Sequence, residues 1–553
     1  MSSPDERARL AQEQARLAQV EREILSRSPE HSIDPTLDRI AALVNVLGDP
    51  QHAYPVVHIT GTNGKTSTAR MTEQLLRARG LRTGLFTSPH LISIRERICV
   101  DGEPVSAEQF IDAYEEIRPY LDLVDAAQPV RLSFFEVLTG MAFAIFADTP
   151  IDVAVIEVGM GGTWDSTNVA DGAVAVVTPI SLDHMRYLGD TVEEIATDKA
   201  GIIKPGAIAV LAQQPPGAAE VLLRRVAEVG ASVAREGLEF GVLHRDLAVG
   251  GQQVTVRGLL GDYEDLFLPL YGAHQASNLA CAIAAVEAFA RAEPVGGTSS
   301  SNGDLNGHAA DTAELARRVL DPHRALDGDD DVPVADRENA QPGSTGPALL
   351  EGDRLGGDPS GAALDRIGLD RLKAAQLTGS GGERPTPLDI ALVREAAATV
   401  SSPGRLEVVR RSPVVIIDAA HNPAGMAATI AAVEEAFSFS ELVVILAVSA
   451  DKDVPGILDQ LEPVAARLVA TTNSASRSMD ADELADEAEA VFGEDRITIA
   501  ERLDEAIEIG VTLADEADAS GATGPDGQGT AVVLITGSVI TAGEARLLLS
   551  RRR

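Results

Sequence analysis

Apolar and polar positions along this chain fall into blocks that switch between a strand period and a helix period. Short apolar runs rich in β-branched residues at 56–59, 83–86, 153–158 and 174–178 read as buried strands. Helical spacing fills intervals at 107–120 and 134–146, and the Ala-rich stretch 273–292 reads as a helix closing the region. This rhythm predicts an α/β fold with a mostly parallel, doubly wound sheet. It resumes after Leu388, with strands at 414–417, 442–448, 468–472, 497–500 and 532–536 and helices at 425–436 and 480–491. A second α/β domain follows from that. At the start of the chain Leu10, Leu17, Val20, Ile24 and Leu25 form one stripe of a surface helix.

Between the two rhythms, residues 293–387 contain no aromatic residue, no Met and no Cys, and are dense in Gly, Ser, Asp and Pro. Such a stretch cannot bury enough apolar surface to order itself. It reads as a disordered acidic insertion with a transient helix at 313–320; a small hidden domain is the alternative. The expected organisation is therefore a helical extension (1–30), a nucleotide-binding domain (31–292), the insertion (293–387) and a C-terminal α/β domain (388–553).

Composition narrows the picture further. At 553 residues the chain exceeds one core. It has no apolar run long enough to span a bilayer and no leader-like segment in its first residues. A net charge of −38 disfavours nucleic acid and anionic membranes as partners. The two cysteines, Cys99 and Cys281, lie in apolar surroundings and read as buried free thiols, which fits a cytoplasmic protein.

The chemistry concentrates at the end of the first strand. Gly61-Thr62-Asn63-Gly64-Lys65-Thr66-Ser67 supplies two glycines for a tight loop, a cation and hydroxyls, just before a predicted helix. Strand, glycine loop, lysine and helix N-terminus together make a polyphosphate cradle. The widespread longer loop would need glycine at position 59, which here is Ile59, so this is a shorter variant. Glu157 ends another strand and is followed by a glycine turn. A carboxylate beside a phosphate loop suits Mg²⁺, a hard cation that takes oxygen ligands. His184, past the next strand end, is either a further ligand on that rim or a structural histidine. Ser88 offers one more hydroxyl.

These stretches resemble the folylpolyglutamate synthase/dihydrofolate synthase family of the Mur ligase superfamily. The resemblance is carried by residues 61–66, Thr87-Ser-Pro-His-Leu91, Glu157-Val-Gly-Met-Gly-Gly162, Asp165-Ser-Thr-Asn168, Asp198-Lys-Ala-Gly-Ile-Ile203, residues 272–278, Pro403-Gly-Arg-Leu-Glu407, Asp418-Ala-Ala-His-Asn-Pro423, Asp451-Lys-Asp453 and Thr536-Gly-Ser538. It implies a P-loop ATPase domain joined to a Rossmann-like C-terminal domain, with ATP between them. Ser88, Glu157 and His184 then match the Mg²⁺ ligands, with two ions expected. Lys199 matches a lysine carried as a carbamate, and Asn278, Arg405 and Asp418 match ATP-binding residues. Phe134, Phe135 and Glu136, with Trp164, Asp165 and Ser166, match segments that contact the pterin substrate. His421 and Ser538 match positions that bind the incoming glutamate. The chain departs from the family pattern at Thr66, where Gly is common, and at Thr163, where Arg is common.

The implied reaction is ATP-dependent addition of L-glutamate to a folate or to dihydropteroate by a monomer, through an acyl phosphate. Lys65 would stabilise the transferring phosphoryl group and His421 would position or deprotonate the amine. Two rivals stay open at this stage: a cell-wall Mur-type amino-acid ligase, and a non-catalytic two-domain switch driven by ATP.

Overall fold

The computed structural model describes residues 4–29, 34–292, 387–521 and 530–550. The predicted insertion and its helix at 313–320 lie outside the described residues. Two α/β lobes are present, and their sheets carry the site.

The first lobe is built on an eight-stranded sheet. In chain order its strands are β1 (Val56–Thr60), β2 (Thr83–Phe86), β3 (Ile98–Val100), β4 (Glu103–Pro104), β5 (Val153–Glu157), β6 (Gly172–Val177), β7 (Ile208–Leu211) and β8 (Ser232–Arg235). Their spatial order is β4-β3-β2-β5-β1-β6-β7-β8, parallel from β2 to β8 with β3 and β4 antiparallel at the edge. β1 lies at the centre, with Ile59 opposite Glu157 on one side and Val176 on the other. Strand order reverses around β1, and a parallel sheet opens a crevice at the carboxyl ends of its strands at such a point. The loops after β1, β5 and β6 therefore converge.

Helices cover both faces. Lys65–Ala78 and Ala273–Ala292 pack on each other, and the second also lies over β6 and β7. Ala and Gly-sized side chains let these backbones approach closely, and most of the second helix is fully buried. The helix Phe134–Asp148 starts with a capping box in which Ser133 and Glu136 satisfy each other's backbone N–H. At the N-terminus, the helix Pro4–Leu25 buries Val20 and Ile24 from the predicted stripe and leaves Leu10 and Leu25 exposed. A three-stranded antiparallel sheet, β9 (Gly241–Ala248), β10 (Gly251–Arg257) and β11 (Asp262–Leu268), completes the lobe.

The second lobe has a six-stranded sheet of β12 (Glu407–Arg411), β13 (Val414–Ile417), β14 (Phe439–Leu446), β15 (Ala465–Ala470), β16 (Ile497–Ile499) and β17 (Thr530–Thr536). The order is β12-β13-β17-β14-β15-β16, parallel except for β12. Each face has its own core: Met426, Val433, Leu458 and Leu484 on one, Leu503, Ile507 and Ala545 on the other. The sequence puts this domain's start at 388, where the rhythm returns. The helix Ile390–Thr399 instead buries Val393, Ala396 and Ala397 in the first lobe's core, and the second lobe's own core begins at Leu406.

Cys99 and Cys281 are both buried and free. Among the described residues no helix is long and apolar enough to cross a membrane.

Candidate active site

The loop after β1 is tightly confined. Gly61 (φ 142°) and Gly64 (φ 89°) have positive φ, and a Cβ on either would fall 1.9 Å from Thr178 Oγ1 or 2.5 Å from Asn278 Oδ1. Glycine is required at both by conformation and by space. The N–H groups of Thr62 and Asn63 donate to the Pro179 carbonyl at 3.0 and 3.2 Å, fixing the loop against the end of β6. Lys65 opens the helix and folds back, its Nζ donating to the carbonyls of Gly61 and Thr62, each at 3.1 Å. Burial lowers the Lys65 pKa, while Glu157 and Asp183 oppose the shift. Ser67 Oγ lies 3.0 Å from Ser402 Oγ on the connection to the second lobe.

Glu157 is brought beside this loop by the pairing of β1 with β5. Its Oε1 accepts from Thr66 Oγ1 at 2.8 Å and its Oε2 from the Ser88 N–H at 3.2 Å. Burial raises its pKa, with the Lys65 charge acting in the other direction. Thr66 and Glu157 thus bring hard oxygen donors together, with Ser88 held beside them through its N–H, a donor set that fits Mg²⁺. The departure at Thr66 has a visible consequence, since its hydroxyl occupies a carboxylate oxygen. His184, from the loop after β6, makes no hydrogen bond to these residues among the described ones. It sits in a left-handed backbone conformation (φ 52°), with Nε2 3.8 Å from Asp183, and burial brings its pKa down to about 3. Its imidazole is neutral, the form that binds metals.

Lys199 ends the helix Val192–Lys199, and its Nζ donates to the Gly61 carbonyl at 2.8 Å. Burial, then the neighbouring Lys65 charge, bring its pKa down to about 7. The glycine turn after β5 packs against this helix end, where Thr163 donates its N–H and hydroxyl to the Asp198 carbonyl. Asn278 leans on Gly64 from the helix Ala273–Ala292 and donates to Gln275.

In the second lobe, Asp418 ends β13. It accepts from the N–H groups of Leu406 (3.0 Å) and Ala420 (2.8 Å) and from Thr429 Oγ1 (2.8 Å). Leu406 holds an unusual positive φ of 46°, and its N–H meets that carboxylate. Burial lowers the pKa of Arg405, while the charges of Asp418 and Glu157 raise it, so this guanidinium lies within the field of both lobes' carboxylates. His421 turns Nδ1 to the Ala419 carbonyl at 2.9 Å, and Ser538 Oγ accepts from the Ile540 N–H.

The residue that sequence reasoning missed is Asp183. Its Oδ1 accepts from Lys452 Nζ at 2.6 Å and its Oδ2 from Asn422 Nδ2 at 3.1 Å, with His421 Nε2 at 3.6 Å. Burial would raise its pKa, but His421 and the Lys452 charge hold it well below the usual carboxylate range. Asn422 also exchanges side-chain hydrogen bonds with Asn63 of the phosphate loop, at 3.1 and 3.3 Å. Asp183, Asn422 and Lys452 all sit in loops at strand ends that sequence motifs had marked, without a signal that the two rims meet.

The pterin-side candidates divide. Phe134 lies under the Arg97 guanidinium (5.1 Å to the ring centroid) and Phe135 packs on Phe86 (5.6 Å) and against Gly159. Trp164 is half-buried nearby in sequence to Asp165, whose carboxylate accepts from the N–H groups of Met160 and Thr167. Burial pushes the Asp165 pKa up to about 6. Ser166 Oγ is 2.8 Å from Thr139 Oγ1. Glu136 is engaged in the fold: both oxygens meet Arg39 Nε at 3.1 Å, and one accepts from Ser133 N–H.

A crevice at two facing rims of strand ends, with a short phosphate loop on one rim, is the architecture of a Mur-type ligase. Family models agree: the Mur ligase middle domain matches residues 134–286 and the Mur ligase glutamate ligase domain matches residues 404–538. A dihydrofolate synthase/folylpolyglutamate synthase from Mycobacterium tuberculosis is 42% identical over 97% of this chain and 94% of its own length. A solved folylpolyglutamate synthase from the same organism, complexed with ADP, aligns with a TM-score of 0.77 at 41% identity, covering 98% of this chain and 99% of that one. An FPGS–AMPPCP–folate complex aligns with a TM-score of 0.65 at 27% identity, covering 96% and 99%. The chain belongs to the folylpolyglutamate synthase/dihydrofolate synthase family of ATP-dependent ligases.

Proposed function

We propose that this enzyme adds L-glutamate to the carboxylate of folates, and to 7,8-dihydropteroate, with hydrolysis of ATP to ADP and phosphate. The observation that carries the reading is the pairing of Asn63 with Asn422. It sets the phosphate loop beside the strand-end loop that bears His421, so nucleotide and amine are handled at one boundary.

A carboxylate oxygen is a poor leaving group. Transfer of the ATP γ-phosphoryl to that oxygen makes an acyl phosphate and releases ADP. Lys65 and the loop N–H groups stabilise the transferring charge. Asn278, Arg405 and Asp418 hold the nucleotide. Thr66, Ser88 and Glu157, with His184, would hold Mg²⁺, which supplies counter-charge to the phosphates when bound. The amine of glutamate then forms the C–N bond, the C–O bond to phosphate breaks, and phosphate leaves with the acid's oxygen. His421 and Ser538 bind the glutamate, with His421 placed to take the amine proton. Phe134, Phe135, Trp164, Asp165 and Ser166 form the pterin side, and Glu136 serves there only by anchoring the start of the helix Phe134–Asp148.

Lys199 is the carbamylation site: at a pKa of about 7, much of its amine is neutral near neutral pH, and neutral amine attacks CO₂ to give the carbamate and a proton. A second Mg²⁺ belongs with that carbamate. We assign the described residues before 30 to an extension, those from 34 to about 400 to the nucleotide lobe, and the rest to the glutamate lobe. The enzyme works as a cytoplasmic monomer. The relatives carry folate names, so neither the cell-wall ligase nor the ATP switch gains support.

The test is ADP release with glutamate plus each of dihydropteroate, tetrahydrofolate and a UDP-muramoyl peptide. Turnover is expected with the first two, and ¹⁸O from the acceptor carboxylate should appear in phosphate. Glutamate-independent turnover, or unlabelled phosphate, would overturn the reading.

A further inference from the structure

We propose that Asp183 is a positioning residue for glutamate transfer: one carboxylate of the nucleotide lobe clasps Lys452, Asn422 and His421 of the other lobe and sets them in register with the phosphate loop. This rests on the function given above and extends it to a residue with no assigned role.

The geometry carries the argument. Asp183 is 9% exposed and sits in the loop after β6. Its own position is fixed locally, because Oδ1 accepts from the His184 N–H at 2.8 Å while His184 takes its left-handed conformation. The same oxygen receives Lys452 Nζ, and the other receives Asn422 Nδ2. Lys452 is itself nearly buried, with 10% of its side chain exposed. Asn422 does two jobs: Oδ1 caps the helix Pro423–Ala436 by accepting from the Gly425 N–H, while Nδ2 reaches Asp183 and Asn63. The positive end of that helix therefore points at the Asp183 carboxylate, which favours negative charge there. His421 Nδ1 is held by the Ala419 carbonyl, leaving Nε2 on the Asp183 side. Without the carboxylate, Lys452 would face a helix N-terminus and the Lys65 charge, all of one sign. The clasp would open, while the phosphate loop, confined by Pro179 and Asn278, would keep its own shape.

The distinguishing signature is a split between substrates. Asp183→Asn, nearly isosteric, should raise glutamate KM and lower kcat by at least about tenfold each while changing ATP KM by less than about threefold, since truncating a buried charge pair acts on what the pair holds. Asp183→Asn combined with Lys452→Met should be no worse than the more damaging single change, because both remove one contact. Small-angle scattering with ADP bound should show a larger radius of gyration for Asp183→Asn than for the parent. Equal losses for ATP and glutamate, multiplying losses in the double variant, or unchanged scattering would each overturn the proposal. If Asp183→Asn does not fold, Lys452→Met alone must show the same split. The scattering arm needs no turnover, so a parent enzyme that failed to ligate glutamate would sink the function while leaving the clasp on trial.

Discussion

Glu157, at the end of β5, and Asp183, in the loop after β6, are both buried carboxylates from strands that flank β1 in one sheet, yet they are assembled differently. Glu157 gathers partners from its own lobe: Thr66 from the loop after β1 and Ser88 from the loop after β2. Its corner exists once the register of β5 against β1 and β2 is set. Asp183 gathers Asn422 and Lys452 from the other lobe, 239 and 269 residues away. The first corner is a property of a sheet; the second is a property of a meeting between sheets. A site divided this way can keep its phosphate chemistry ready while making amine delivery depend on closure.

Four experiments would break or sharpen that contrast. Glu157→Gln should cost about a thousandfold in kcat, the loss typical when a group that stabilises developing charge is removed. Circular dichroism should find the fold intact, and near-normal turnover would take Glu157 out of the reacting site. Glu136→Ala tests a buried carboxylate that meets Arg39 and the start of its own helix. It should cost about 1–3 kcal/mol in urea unfolding, because Arg39 loses a buried acceptor and keeps only Asp34, and the capping box is lost. Turnover per folded molecule should hold; unaltered stability with a raised folate KM would reverse the assignment.

The third is a pH effect. Lys199 has a depressed pKa of about 7, so it is ammonium below that and amine above it. At fixed CO₂ pressure, ¹³C NMR of the carbamate should show severalfold more signal at pH 8 than at pH 6, disappearing in Lys199→Met. By linkage, the buried amine also makes folding more favourable as pH rises from about 7 toward the unfolded lysine value of about 10.4. A signal that fell with pH would refute the neutral-amine origin. The smallest effect is expected at another ion pair between the lobes, Arg245 with Glu435, which is partly exposed. Arg245→Ala should change stability by less than about 1 kcal/mol and leave glutamate KM alone. A larger effect would mean closure is spread over the whole boundary instead of resting on Asp183.

What could be read in advance follows the physics of each element. Strands such as β5 and β17 are buried on both faces and announce themselves as apolar runs. β9, with Val242, His244, Arg245 and Asp246 along it, has a single buried position and no long apolar run, so the small antiparallel sheet was not anticipated. The helix Ile390–Thr399 was legible as a helix but not as part of the first lobe, since periodicity does not say which core an apolar stripe meets. In the site, the phosphate loop and Glu157 follow from residue chemistry and strand context. Lys199, Asn278, Arg405, Asp418 and Ser538 came from family resemblance, because a lone Lys or Asp at a strand end has many uses. Ser133 and Glu136 spell a helix-start signature, and the structure holds Glu136 in that capping box and against Arg39. Asp183 was beyond reach because its partners become neighbours only when two sheets face each other.

The described residues on the two sides of 293–386 meet: the Leu388 N–H donates to Tyr263, whose hydroxyl is held by Glu287 of the helix Ala273–Ala292. Ala290 and Pro387 line one small cavity. Exit and re-attachment are thus side by side, like the two ends of a stitch. Whatever is spliced between them has no distance to bridge, and closing a longer connection costs only about 0.6 kcal/mol per doubling of length. A change of length at this seam is therefore expected to leave the cleft's own contacts in place.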